Sequence, residues 1–318
     1  MLVVELTVPA PTAWANGSDT RSAITVFMPD RIAAPATVIF AFPGGGYGRR
    51  YYDIGLLPDY SQAAYHVANG RVFVACDHAG MGDSTPADPF DLDLESIAAA
   101  NNAATIAILA GLRGGTLIAG LAPVAIERTV GMGQSMGGCL LVVQQGLQRA
   151  FDAIAILGYS VIGPAFPQPD GSILRHSSLS RDAGLNGADR LVDKVAANPA
   201  ALAYAFHAAD EDPRLVDADL GRGVNQAGFP PWRIGMAPPC TARMMAPGAV
   251  AREAAAIDVP VLAAFGAIDL VDEPRDEAKA YASSPDIAIA VFPRMAHMHN
   301  FAPTREALWW RIERFIRD

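Results

Sequence analysis

The stretch Gly133-Gln134-Ser135-Met136-Gly137 constrains this chain more than any other, because of what stands on either side of it. Before it runs the β-rich segment Arg128-Thr129-Val130-Gly131-Met132. After it comes the apolar run from Cys139 to Leu147, which reads as a buried helix. Five residues of the form G-x-S-x-G are a weak signal alone; between a strand and a helix they demand a sharp turn with a serine at its apex. Such a serine is strained, and its hydroxyl is lifted clear of the backbone. Gly133 and Gly137 suit the places where that turn crowds backbone against backbone and a Cβ would clash. The first turn of the helix also aims free N–H groups at whatever binds there.

The rest of the chain supplies the setting. Strand-like runs are expected at 23–28, 37–42, 72–76, 129–132, 153–157, 259–265 and 287–292. Helical runs are expected at 59–68, 94–112, 136–150, 275–282 and 304–316. In the last, Leu308, Trp309, Ile312 and Phe315 recur at helical spacing and form a core face. Continuous apolar strands alternating with helices specify an α/β protein: a mostly parallel central sheet with helices on both faces. Ligands then bind beyond the carboxyl ends of the strands. The alternation breaks between Ser160 and Val250, a stretch rich in Pro, Gly and Asp with short helical pieces around 188–206. Structureless loops of that length are uncommon. The expected organisation is therefore a core of residues 1–159 and 251–318, with a largely helical cap, 160–250, inserted before the penultimate strand.

Composition narrows the function classes. A chain of 318 residues, 51% hydrophobic and 18% charged, can bury a sizeable core and is not a disordered protein. Its net charge of −9, with no basic stripe, argues against nucleic acid as a partner. No run of about 18 uncharged apolar residues appears, so no membrane span is expected. Met1–Leu6 lacks the basic start and long apolar stretch of a secretion signal, and a cytoplasmic location is expected. Cys76, Cys139 and Cys240 are widely spaced and odd in number, which suits small core residues better than a disulfide framework.

A serine hydroxyl needs a base within hydrogen-bond reach and a carboxylate to orient that base. Two of the six histidines, His297 and His299, follow the last strand. His297, at the head of that loop, is the expected base, with His299 the alternative. A His-x-His pair can also bind metal, but no further cluster of ligand spacing accompanies it, so no metal is expected. Asp269, on the turn after the strand 259–265, is the expected carboxylate; Glu273 suits the start of the next helix better. Donors for a developing oxyanion are expected from the backbone of Met136, the residue after the nucleophile, and from the loop Pro43-Gly44-Gly45-Gly46-Tyr47-Gly48. Gly45 is the preferred donor there, Gly44 and Gly46 the alternatives. No Gly-Lys-Ser/Thr follows, which excludes a P-loop.

These residues, in the order Ser135, Asp269, His297, resemble the α/β-hydrolase-fold serine hydrolases of the esterase and lipase kind. The segment Asp77-His78-Ala79-Gly80-Met81-Gly82-Asp83-Ser84 is similar to that family's D-x-x-G-x-G-x-S turn after the fourth strand, a structural feature there. His78 stands where members often carry Arg and is expected to be structural. Pro43 departs from the pattern, since members commonly have a bracing His before the glycines. The resemblance implies cleavage of a carboxylic ester, lactone or thioester through an acyl-enzyme, without a cofactor. The same triad also serves carbon–carbon bond hydrolases and acyltransferases, and the fold includes non-catalytic ligand-binding members. Tyr47, Trp232, Met244 and His299 are candidate substrate contacts. The expected partner is a small apolar ester-type molecule, a homodimer being left open.

Overall fold

Strand β3 (Ala36–Phe42) shows why the sheet sits where it does. Its side chains alternate, Val38, Phe40 and Phe42 entering one apolar cluster and Ile39 and Ala41 a second on the opposite face. Strand β4 (Val72–Cys76) repeats the pattern, with Val72 and Val74 on one side and Phe73 and Ala75 on the other. A strand buried on both faces must be covered on both. Helices α2 (Leu94–Gly114) and α3 (Met136–Gln148) cover the first face, through residues such as Ile97, Ile108 and Leu140. Helix α1 (Gln62–Ala68) and the C-terminal helix α8 (Arg305–Arg317) cover the second, through Ala63, Val67, Leu308, Trp309 and Ile312. The computed structural model describes residues 1–11, 19–175, 198–221, 228–234 and 237–317.

The remaining strands are β1 (Leu2–Pro9), β2 (Arg21–Met28), β5 (Ile126–Gln134), β6 (Ala153–Leu157), β9 (Val261–Gly266) and β10 (Ile287–Phe292). They join β3 and β4 in one eight-stranded sheet of order β1-β2-β4-β3-β5-β6-β9-β10. Strand β2 pairs antiparallel with both β1 and β4; every other pair is parallel. The carboxyl ends of β3, β5, β6, β9 and β10 therefore emerge along one rim, where the serine, aspartate and histidine loops begin.

All seven expected strands are present, and β1 is an additional one. It is a largely exposed edge, paired from Leu2 with Met28 to Pro9 with Arg21. The segment expected as a helix at 275–282 is instead a 3-10 turn, Pro274–Ala280. Its Glu277 side chain turns inward, accepting from Val161 N–H at 2.9 Å and from Ser160 Oγ, which draws the turn onto the end of β6.

Between β6 and α7 (Ala251–Ala255) the described residues form a hairpin, β7 (Ala165–Pro167) with β8 (Ile173–Arg175), and three short helices: α4 (Pro199–Phe206), α5 (Pro213–Asp219) and α6 (Thr241–Met244). The hairpin adds strand to a segment expected to be largely helical. Most of the helical pieces expected around 188–206 lie outside the described residues, α4 being the exception. Among the described residues, no helix is long and apolar enough to cross a membrane.

Candidate active site

The turn after β5 has the shape its sequence demands. Ser135 sits at φ 52° and ψ −117°, a left-handed conformation costly for any residue but glycine. Its backbone is held on both sides: Ser135 N–H donates to Leu157 O at 2.8 Å, and Cys139 N–H to Ser135 O at 3.0 Å. A Cβ on Gly133 would strike the Gly137 backbone, and one on Gly137 would strike the Phe42 carbonyl. The two glycines thus let the turn close against itself and against the end of β3.

Asp269 and His297 meet on the neighbouring strand ends. His297 Nδ1 lies 2.7 Å from Asp269 Oδ1. Asp269 also accepts Leu270 N–H at 2.7 Å on that oxygen and Gly266 N–H at 2.8 Å on Oδ2. Burial works against ionisation of this carboxyl. The electrostatic pull of His299 and hydrogen bonds from both imidazoles outweigh it, holding the group well below the usual carboxylate range. Asp269 is therefore favoured as an anion, which suits it to orient an imidazole.

Ser135 and His297 line one cavity of about 230 Å³, together with Gly44, Gly45, Tyr47 and Met136. Its other walls are mostly apolar: Phe166, Leu202, Phe206, Met244 and Met245, with Thr241, come from the segment between β6 and β9, and Leu270 and Met298 from the loops after β9 and β10. Of the candidate substrate contacts, Tyr47 and Met244 reach this cavity. Trp232 and His299 do not line it. Trp232 packs on Phe301 at 6.0 Å between ring centroids and donates Nε1–H to Asp219 at 2.8 Å; His299 points at Asp269.

The glycine loop is braced despite Pro43. His78 Nε2–H donates to Pro43 O at 2.8 Å, while Asn101 Nδ2–H on α2 donates to His78 Nδ1 at 2.9 Å. Burial lowers the affinity of His78 for a second proton, so the ring stays a neutral brace. The turn carrying His78 is itself pinned. Asp77 accepts Arg49 N–H and Nη1–H, both at 2.6 Å, and Asp83 N–H at 2.9 Å. The expected structural reading of this turn thus has a physical content: it carries the brace.

Several contributors left no mark in the sequence. Gln134, next to the serine, donates Nε2–H to His297 O at 3.0 Å and ties the base loop to the elbow. Gly158, just beyond β6, has φ +63°, and a Cβ there would lie 3.1 Å from His297 Nδ1 and 3.3 Å from Asp269 Oδ1. Gly158→Ala is accordingly expected to lower kcat by about 10²-fold, the scale of a small misplacement of catalytic groups. The strained φ should cost about 1–3 kcal/mol of stability. Steady-state kinetics alongside thermal unfolding check both; unchanged kcat would contradict the packing described.

The segment between β6 and β9 also grips the site loops. His297 N–H donates to Ala205 O at 3.0 Å and Met298 N–H to Phe206 O at 2.9 Å, both carbonyls at the end of α4. Gly48 N–H donates to Trp232 O at 2.9 Å and Ile234 N–H to Gly46 O at 3.0 Å. Beneath these bonds lies a buried polar cluster. Asp219 accepts Tyr47 O–H at 2.6 Å and Trp232 Nε1–H, and His207 bridges Asp219 at 3.2 Å to Glu211 at 2.7 Å. Arg233 donates to Tyr47 Oη at 2.7 Å and lies over that ring, 4.6 Å from its centroid. Burial opposes protonation of His207, but hydrogen bonds and charge from Asp219 and Glu211 push its pKa up to about 9.

Among the described residues no group of three or more His, Cys, Asp or Glu side chains is placed to hold a metal ion. No protein-family model matches the sequence, and no curated protein is significantly similar to it. Solved structures do match, over nearly the whole chain. A proline iminopeptidase from Mycobacterium smegmatis shares 18% identity at a TM-score of 0.60, covering 99% of this chain and 98% of that one. An esterase from Exiguobacterium antarcticum shares 14% at 0.64, covering 98% and 100%. The enol-lactonase from Burkholderia xenovorans LB400 shares 15% at 0.61, covering 97% and 100%. The chain has the α/β-hydrolase fold.

Proposed function

We propose that this protein is a serine hydrolase that cleaves a carboxylic ester, lactone or thioester with an apolar acyl or alcohol part. One observation carries the reading: Ser135, on a strained elbow, and His297, held by a buried anionic Asp269, line the same apolar cavity. Ser135 Oγ attacks the carbonyl carbon while His297 Nε2 takes its proton and passes it to the leaving alcohol or thiol. Asp269 holds the imidazole with Nδ1–H toward Oδ1 and stabilises the imidazolium that forms. The backbone N–H groups of Met136 and Gly45, at the cavity wall, receive the oxyanion. Water, activated by the same imidazole, then releases the acid.

The segment 160–250 acts in this reading as a cap. Phe166, Leu202, Phe206, Met244 and Met245 form the wall that a substrate's apolar part would meet. Methionines adapt to irregular shapes, which suits a pocket that accepts related chains up to a size limit. Met244→Ala should change the ratio of kcat/KM between short and long p-nitrophenyl esters by about 10–200-fold. Its rate with a small fluorophosphonate should change far less. Wild-type protein that turns over no ester, lactone or thioester in such a panel would overturn the reading. Equal loss of both rates in the Met244 variant would overturn the cap's role in selection.

A further inference from the structure

His299 stands two residues from His297, does not line the cavity, and yet contacts the same carboxylate. His299 Nε2 lies 2.8 Å from Asp269 Oδ2, as His297 Nδ1 lies 2.7 Å from Oδ1. An ionised carboxylate only accepts, so each ring points an N–H at it. This places the His299 proton on Nε2. The other nitrogen, Nδ1, is buried and has no hydrogen-bond partner among the described residues. With Gly266 N–H and Leu270 N–H, the two imidazoles give each Asp269 oxygen two donors.

We propose that His299 is a positioning residue for the hydrolysis. Its Nε2–H holds Asp269 Oδ2, keeps Oδ1 on His297, and divides the carboxylate's charge between two rings. The inference rests on the reading of Ser135, His297 and Asp269 as the catalytic set. Among the described residues, the groups facing the two rings are these. Asp269 faces both rings from the loop after β9, and neutral Gln134 and the Phe206 ring face His297 from β5 and α4. Tyr51, whose hydroxyl accepts Asn300 N–H at 3.1 Å, stands on the turn Arg49–Tyr52. Asp219 and Glu211 lie beyond it, close enough to act on Tyr51.

The test is the pH dependence of kcat/KM for a p-nitrophenyl ester in wild type, His299→Leu and His299→Gln. Without the donor, Asp269 leans harder on His297 and makes it more basic. His299→Leu should therefore move the acid limb to higher pH and lower kcat by about 10-fold, the scale seen when an outer hydrogen-bond partner of a site imidazole is lost. His299→Gln, whose amide N–H can stand where Nε2–H stood, should restore the limb and most of kcat. An unmoved limb in the leucine variant, or glutamine no better than leucine, overturns the proposal. Long-range 1H–15N spectra of the wild-type imidazoles test it without any variant: His299 should be the Nε2–H tautomer, and Nδ1–H overturns it. Should His297→Ala keep full turnover, the catalytic reading fails, whereas loss in His297→Ala with an unmoved limb in His299→Leu overturns the His299 role alone.

Discussion

Ser135→Ala is expected to lower kcat for ester turnover by about 10⁴–10⁶-fold, the scale on which removal of a triad member acts. The loss should come with little change in stability. Among the described residues the hydroxyl makes no hydrogen bond that caps the helix; the elbow is held by the backbone bonds to Leu157 and Cys139 and by the close approach of Gly133 and Gly137. Alanine at φ 52° carries the same Cβ strain that serine already bears. Thermal unfolding and steady-state kinetics on the same preparation separate the two quantities. A variant that retains turnover, or one that loses activity only because it unfolds, would contradict this account.

Asp219→Ala should have the largest effect on stability. The carboxylate is buried and takes Tyr47 O–H, Trp232 Nε1–H and the protonated His207 ring, with Arg233 close by. Removing Asp219 takes the acceptor from Tyr47 O–H and Trp232 Nε1–H and leaves His207 with Glu211 alone, at a cost of about 3–5 kcal/mol. Because Tyr47 follows the glycines of the proposed oxyanion loop, kcat should fall as well. The cluster also predicts a pH dependence. The folded-state pKa of His207, about 9, stands above an unfolded value of about 6.5. The stability this gives is fully present below about pH 6.5 and is lost as pH rises through about 9. Urea unfolding across that window should show wild type weakening with pH and Asp219→Ala responding less. Parallel slopes in the two proteins would contradict the assignment to His207.

Trp232 shows why this cluster could not be read from the chain. As a large apolar residue in an insertion it looked like a substrate contact; its indole N–H is instead committed to Asp219, and its ring to Phe301. Tyr47 and Asp219 are 172 positions apart, and no local pattern joins them. Gly158 and Gln134 are similar cases: each matters because of what another loop brings against it. The elbow was legible because strand, glycines, serine and helix are contiguous. Asp269 and His297 were legible because they follow apolar strands whose ends must share a rim in a parallel sheet. The strand β1 was not, since an exposed edge needs no strong hydrophobic pattern to pair with β2. The 3-10 turn at Pro274–Ala280 was missed for another reason. Its decisive contact is Glu277 with the end of β6, which composition does not display.

Ser135 is the proposed nucleophile. The most direct test is to react the protein with a fluorophosphonate and map the adduct by peptide mass spectrometry. A single adduct on Ser135 is predicted, forming much more slowly in His297→Ala and absent from Ser135→Ala. An adduct on another residue, or no adduct in protein that turns over esters, would contradict the account.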